Sequence, residues 1–292
     1  MSKLFKPIAG DQTLIFLHIP KAAGTTLNSI IDRHFGGKSG AIFAMNGSRN
    51  RECEFMLKPE AERIAYRLIR GHMEFGIHRY LPKKSAYITL LRNPVNRIVS
   101  FYYYAYSDSR HYLHQHAKRM DLKEFVLSDL STELENGQTR LLGGDIDLYL
   151  RDNSLPCTFA DLERAKKNLY EHFFLVGISE RFDEFLVFLY QLSEIRNILH
   201  VRQNVTINKP RQVDPEIADL ILERNQMDWQ LYQFVQAIFD DRVKQADTEF
   251  LRTLKWFYIL NHLYFLSKVY KIKTFVRPAI SKLKQLQRKL VK

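Results

Sequence analysis

The chain has 292 residues, 46% hydrophobic and 13% aromatic, with 44 Lys/Arg against 32 Asp/Glu for a net charge of +12. Two cysteines, Cys53 and Cys157, exclude a disulfide framework and a Cys-based metal cluster. Eleven of the positive charges and no acid lie in residues 251–292, so the rest of the chain carries only +1, a poor basis for a nucleic-acid groove.

That apolar content supports a large core, as one α/β domain with additions or as two small domains. The first apolar block, Leu14 to Leu17, is too short for a signal peptide. No apolar run reaches the length of about 18 residues that a membrane span needs. With two free thiols, the expected compartment is a reducing cytoplasm.

Thr13 to His18 reads as a buried strand, short, β-branched and apolar. It runs through Pro20 and Lys21 into the small residues Ala22, Ala23 and Gly24, and then into a helix over Thr25 to Phe35. A strand–loop–helix of this composition lets backbone N–H groups approach an anion at the positive end of the helix. Thr25 and Thr26 add hydroxyl donors, and Lys21 leaves the strand end first, within reach of the far end of a bound ligand. The loop is not G-x-x-x-x-G-K-[ST], so it lacks the Walker A pattern of an ATPase. A structural turn that binds nothing is the alternative.

The stretch "GGKSGAIFAMNGS" reads as a loop, and Glu60 to Ala65 as a short helix. Arg67 to Arg70 is a second strand, ending in "GHMEFG". A third strand, Tyr87 to Leu91, runs into "RNPVNRIVSFYYYAY", where Asn93 suits an N-cap and Pro94 the first helical position. Arg92 therefore ends a strand, where an ATPase would carry an Mg²⁺-binding aspartate. Arg92 and Ser100 are placed to grip a second phosphate, and Arg97, three residues before Ser100, shares that helix face. A helix cap with surface arginines is the alternative.

Residues 107 to 160 read as polar and irregular, with a short helix near Leu122 to Leu127. Their histidines His111, His114 and His116 fit a solvated loop near a substrate better than a metal site. Tyr102, Tyr103 and Tyr104 read as helix packing. Leu162 to His172 reads as a helix, Phe173 to Ile178 as a fourth strand, Arg181 to Leu192 and Pro215 to Val243 as helical. Arg181, Lys209 and Arg211 are candidate nucleotide-facing cations. The alternation of strands and helices predicts an α/β fold with a parallel, P-loop-like sheet flanked by helices and a mostly helical C-terminal part. The expected division is a domain over 1–245 and a basic amphipathic tail over 246–292. That tail either lies on an anionic membrane surface, such as the inner face of a membrane, or packs on the domain.

"FLHIPKAAGTTL", "RGHMEFG", "LLRNPVNRIVSFYY", "NGQTRLLGG" and "LVGISERFDEFL" occur in that order, within a stretch of similarity from about Leu14 to Tyr232, about three quarters of the chain. Together they resemble the sulfotransferase-2 family, which includes heparan sulfate 2-O-sulfotransferases and bacterial carbohydrate sulfotransferases. The resemblance implies 3′-phosphoadenosine-5′-phosphosulfate (PAPS) as donor and a carbohydrate or glycolipid hydroxyl as acceptor. It implies that Lys21 to Thr26 hold the 5′-phosphosulfate and that Arg92 and Ser100 hold the 3′-phosphate. Lys21 would then neutralise the oxygen bridging phosphorus and sulfur, with no metal needed. It also implies that His72 is the base that takes the acceptor's proton, with Glu74 as the rival. The competing readings are a P-loop-type kinase using ATP and a non-catalytic membrane-surface binding protein.

Overall fold

A computed structural model describes residues 4–36, 42–145, 156–201, 203 and 212–269. Among them, five strands form one all-parallel sheet in the order β2-β3-β1-β4-β5. The strands are β1 Thr13–Leu17, β2 Ile42–Asn46, β3 Leu68–His72, β4 Ser85–Leu91 and β5 Phe173–Ile178. Every residue of β1 and β5 is buried. This is why they read as unbroken apolar runs: helices cover both faces of a parallel sheet.

Four strands lie where the sequence puts them. The fifth, β2, falls in the stretch expected to be loop, and helix α2 (Arg49–Leu57) follows it. β2 is an edge strand whose burial alternates, so only Phe43 and Met45 turn into the core. Five residues with two core positions, set among glycines and serines, give a weak local signal; parallel pairing with β3 supplies what propensity lacks. Ser48 caps α2 by accepting the Arg51 N–H.

Helix α1 (Gly24–Phe35) follows β1, and α3 (Glu60–Arg63) precedes β3. α4 (Pro94–Ser107) follows β4 with the expected cap: the Asn93 side chain accepts from the Asn96 N–H at 3.3 Å. The stretch expected to be irregular holds α5 (His114–Arg119), α6 (Leu122–Leu127) and α7 (Gly137–Gly143). α8 (Phe159–His172), α9 (Phe182–Leu192), α10 (Pro215–Arg224) and α11 (Gln226–Lys244) complete the α/β body. The expected single helical stretch after Pro215 breaks at Asn225, whose buried amide donates to the carbonyls of Leu134 and Ile221.

The last described helix, α12 (Thr248–Val269), carries the start of the basic tail. Phe250, Phe257 and Leu260 are buried in the main core, and Asn261 accepts the His200 N–H at 2.8 Å. The i, i+7, i+10 spacing puts these three on one helix face. This part of the tail packs on the body; residues 270–292 lie outside the described residues. No described helix is long and apolar enough to cross a membrane.

The chain leaves β1 toward β2 on one side and leaves β4 toward β5 on the other. The sheet order therefore reverses between the neighbours β1 and β4, where open α/β sheets form a ligand crevice beyond their carboxyl ends.

Candidate functional site

The carboxyl ends of the strands open on one cavity of about 1140 Å³. Lys21 and Thr26 enter it from the β1–α1 loop, Arg92 and Ser100 from β4 and α4, and His72 from β3. Lys21 and Arg92 are also bonded to each other: the Arg92 Nη1 donates to the Lys21 carbonyl at 2.8 Å.

The loop owes its shape to an unusual backbone. Lys21 and Ala23 both take left-handed conformations, at φ 66° and 62°, which side-chain-bearing residues rarely adopt. Alternation of left- and right-handed residues turns successive N–H groups into a concave nest for an anion. Gly24 is required for a different reason, since a Cβ there would run into the His18 imidazole. α1 begins at Gly24 with no side-chain cap and no acid in its first turn, whereas α2 and α4 are capped by Ser48 and Asn93. The positive end of α1 therefore faces the cavity with neither a capping side chain nor a first-turn acid among the described residues.

Burial, and secondarily the neighbouring Arg92, push the Lys21 ammonium down to about 8. Burial likewise lowers the Arg92 guanidinium from its usual range. Lys21 Nζ rests 3.7 Å from the centre of the Tyr104 ring, a cation–π contact. Two cations are thus concentrated in one partly desolvated crevice, an arrangement that favours a bound polyanion. Glu180 stands at the same rim, but its carboxylate accepts from the Asn93 N–H at 3.1 Å and from the Ser179 hydroxyl.

Gln138 fixes the main chain at Arg92. Its side chain accepts the Arg92 N–H and donates to the Arg92 carbonyl, both at 2.9 Å. Gln138 belongs to the "NGQTR" segment, which is itself clamped. Asp228 accepts from the N–H groups of Gln138 and Thr139 at 3.1 and 2.7 Å, and Asn136 accepts from the N–H of Met227 at 3.0 Å. A buried carboxylate at the start of α7 is stabilised there by the helix's unpaired N–H groups.

His72 donates from Nδ1 to the His18 carbonyl at 2.8 Å, since a carbonyl oxygen only accepts. This fixes the tautomer and leaves Nε2 with the lone pair. The His18 ring lies 4.4 Å from the His72 ring, and burial first, then the positive neighbours, lower its basicity well below the usual histidine range. His18 is therefore held in its neutral form beside His72.

Several expected site residues lie elsewhere. Arg97 is 0% exposed, consumed by the Glu133 carboxylate and carbonyl at 3.0 and 2.6 Å and close to Asp228. It points into the polar cluster behind the cavity because a desolvated guanidinium needs those acids. Arg181 turns to Glu184 and Asp240 and does not line the cavity. Ala22 packs into the core with its N–H bonded to the Ile19 carbonyl at 3.3 Å. Thr25, Ala23 and Gly24 do line the cavity. Glu74 opens on a second, adjoining cavity, which shares His72 with the first. Lys209 and Arg211 fall outside the described residues. Of the histidines after α4, His111 lines the first cavity, His114 bonds the Ala105 carbonyl and His116 is exposed. Among the described residues, no three His, Cys, Asp or Glu side chains converge as metal ligands.

Neither His18 nor Gln138 stands out in the sequence. His18 sits inside the quoted loop motif as one apolar-strand residue among others. Gln138 is a neutral side chain whose partner, the Arg92 backbone, is 46 residues away.

Residues 6–254 match the family model described as Galactose-3-O-sulfotransferase. Among curated relatives, the chain is 26% identical over 256 residues to Galactose-3-O-sulfotransferase 2 of Mus musculus, covering 77% of this chain and 61% of the relative. It is 26% identical over 258 residues to Galactosylceramide sulfotransferase of Homo sapiens, covering 82% and 59%. It is 25% identical over 217 residues to Uronyl 2-sulfotransferase of Homo sapiens, covering 66% and 52%. The chain thus spans between half and about three-fifths of the length of these relatives. All three are carbohydrate or glycolipid sulfotransferases by name, the class implied by the resemblance of the five motifs.

Proposed function

The chain belongs to the galactose-3-O-sulfotransferase family, and from that premise we propose that it transfers a sulfuryl group from PAPS to a carbohydrate or glycolipid hydroxyl. A galactosyl hydroxyl is the acceptor that the family description favours. One observation carries the reading: Lys21 and Arg92, from adjacent strand ends, line a single cavity with His72. PAPS carries two anionic groups, and this cavity offers a cation from each of two neighbouring strand ends.

In this reading the Lys21–Thr26 loop and the start of α1 hold the 5′-phosphosulfate, while Arg92 and Ser100 hold the 3′-phosphate. His72 Nε2 takes the proton of the acceptor hydroxyl as its oxygen bonds to sulfur. The bond from sulfur to the bridging oxygen breaks on the opposite side. Lys21 stabilises the charge that this oxygen acquires with the bonding pair. The products are a sugar sulfate and adenosine 3′,5′-bisphosphate. The positive charge that a phosphoryl-transfer site takes from Mg²⁺ is supplied here by fixed side chains and a helix end. Burial and then Glu52 push Glu74 up to about 8. Glu74 opens on the adjoining cavity while His72 lines the one with Lys21 and Arg92, so His72 is the base in this reading.

The test pairs binding with turnover. In EDTA, adenosine 3′,5′-bisphosphate is expected to raise the Tm, with less effect from Mg-ATP. Labelled PAPS is expected to deliver sulfate to a galactose-terminated acceptor. Stabilisation by Mg-ATP but not by the bisphosphate would favour a kinase and overturn the proposal.

A further inference from the structure

The second cavity, about 510 Å³, adjoins the first and shares His72, Gly47 and Glu133 with it. Its other walls come from α2, α7 and the start of α8.

Most charged groups in its wall are already engaged. Glu133 holds Arg97, Asp145 pairs with Arg79, and Asp161 accepts the Thr158 N–H at 2.7 Å. Arg164 donates to the Gly143 carbonyl at 2.9 Å, and Arg140 to the Glu135 carbonyl at 3.1 Å.

Glu52 differs. It is 1% exposed, it lines this cavity, and neither carboxyl oxygen has a hydrogen-bond partner among the described residues. A buried polar group left without partners is costly, so Glu52 calls for a partner beyond the described residues. Glu74 lines the same cavity, with its carboxyl against Gly144. Burial raises both acids, to about 7 for Glu52 and about 8 for Glu74. Carboxyls that exchange protons near neutrality both donate to and accept from hydroxyls.

We propose that this second cavity is the acceptor subsite and that Glu52 and Glu74 bind hydroxyls of an uncharged hexose there. The inference rests on the sulfotransferase reading for the role of the sugar, but not for its binding. A uronate would bring a full charge into a wall whose arginines are already bonded, so it is disfavoured. Neutral sugar hydroxyls meet both carboxyls without that conflict.

Saturation-transfer NMR on the full chain reads sugar contact without turnover, with methyl β-galactoside and methyl β-glucuronide as probes. Glu52→Gln and Glu74→Gln keep the side-chain shape. Wild-type protein is expected to saturate the galactoside and not the glucuronide, and each variant to weaken the galactoside roughly tenfold. Affinity for adenosine 3′,5′-bisphosphate is expected to stay within about twofold, since neither acid lines the first cavity. Galactoside binding unchanged in both variants, equal binding of the glucuronide, or no galactoside contact in the wild type would each overturn the inference. Loss of bisphosphate binding by the wild-type chain would count against the donor site alone.

Discussion

Replacing Gln138 by Leu tests whether the second cation is positioned rather than merely present. Gln138 is fully buried and makes two 2.9 Å hydrogen bonds to the main chain of Arg92. Leu fills similar volume and removes both. Two such bonds contribute about 1–3 kcal/mol net, and a stranded Arg92 N–H adds about 1 kcal/mol more. At about 2–4 °C per kcal/mol for a chain of this size, the Tm should fall by roughly 4–16 °C. Arg92 keeps its bond to the Lys21 carbonyl, so the guanidinium stays in the cavity but with a looser backbone. We expect adenosine 3′,5′-bisphosphate to bind roughly tenfold more weakly, about 1.4 kcal/mol, by titration calorimetry well below the Tm. A lowered Tm with the Kd unchanged within twofold would show that Gln138 supports the fold without positioning Arg92.

Three further outcomes follow from the same geometry. His72→Ala should reduce turnover by about 10²–10⁴-fold while leaving bisphosphate affinity intact; near-normal turnover would remove His72 as the base. Lys21 is held near 8 by burial and by Arg92, and a bound anion favours its protonated form. Bisphosphate affinity should therefore fall as pH rises through about 8, with proton uptake on binding above that pH, and Lys21→Met should flatten the profile. Removal of residues 270–292, which carry eight of the eleven tail cations, should release the chain from anionic vesicles. Equal partitioning of both forms would exclude membrane attachment through that segment.

The parts of the fold that were legible in the sequence share a physical cause. β1, β4 and β5 are buried on both faces, so their residues carry the signal without help from context. The α4 start was legible because Asn93 and Pro94 act locally. β2 and α2 were not, because an edge strand of five residues is specified mainly by its partner. That omission also hid Glu52, which reaches the second cavity only because α2 follows β2.

The site divides in the same way. Lys21 and Arg92 were legible because both follow strand ends, and a parallel sheet gathers strand ends on one side. Arg97 misled because helical spacing gives a face and not a partner: its neighbours Glu133 and Asp228 come from distant segments. Arg181 failed for the same reason, captured by Glu184 and Asp240. The Gln138 clamp is long-range and uncharged, so no local pattern marks it.

The central claim is that Lys21 and Arg92 hold opposite ends of one nucleotide. Calorimetry of Lys21→Met and Arg92→Met with adenosine 5′-monophosphate, adenosine 3′-monophosphate and the 3′,5′-bisphosphate tests it most directly. Both variants should lose roughly 10–100-fold in affinity for the bisphosphate. Arg92→Met should leave the 5′-monophosphate nearly unaffected, and Lys21→Met the 3′-monophosphate. If either variant weakens both monophosphates equally, or neither weakens the bisphosphate, the two cations do not grip separate ends of one ligand.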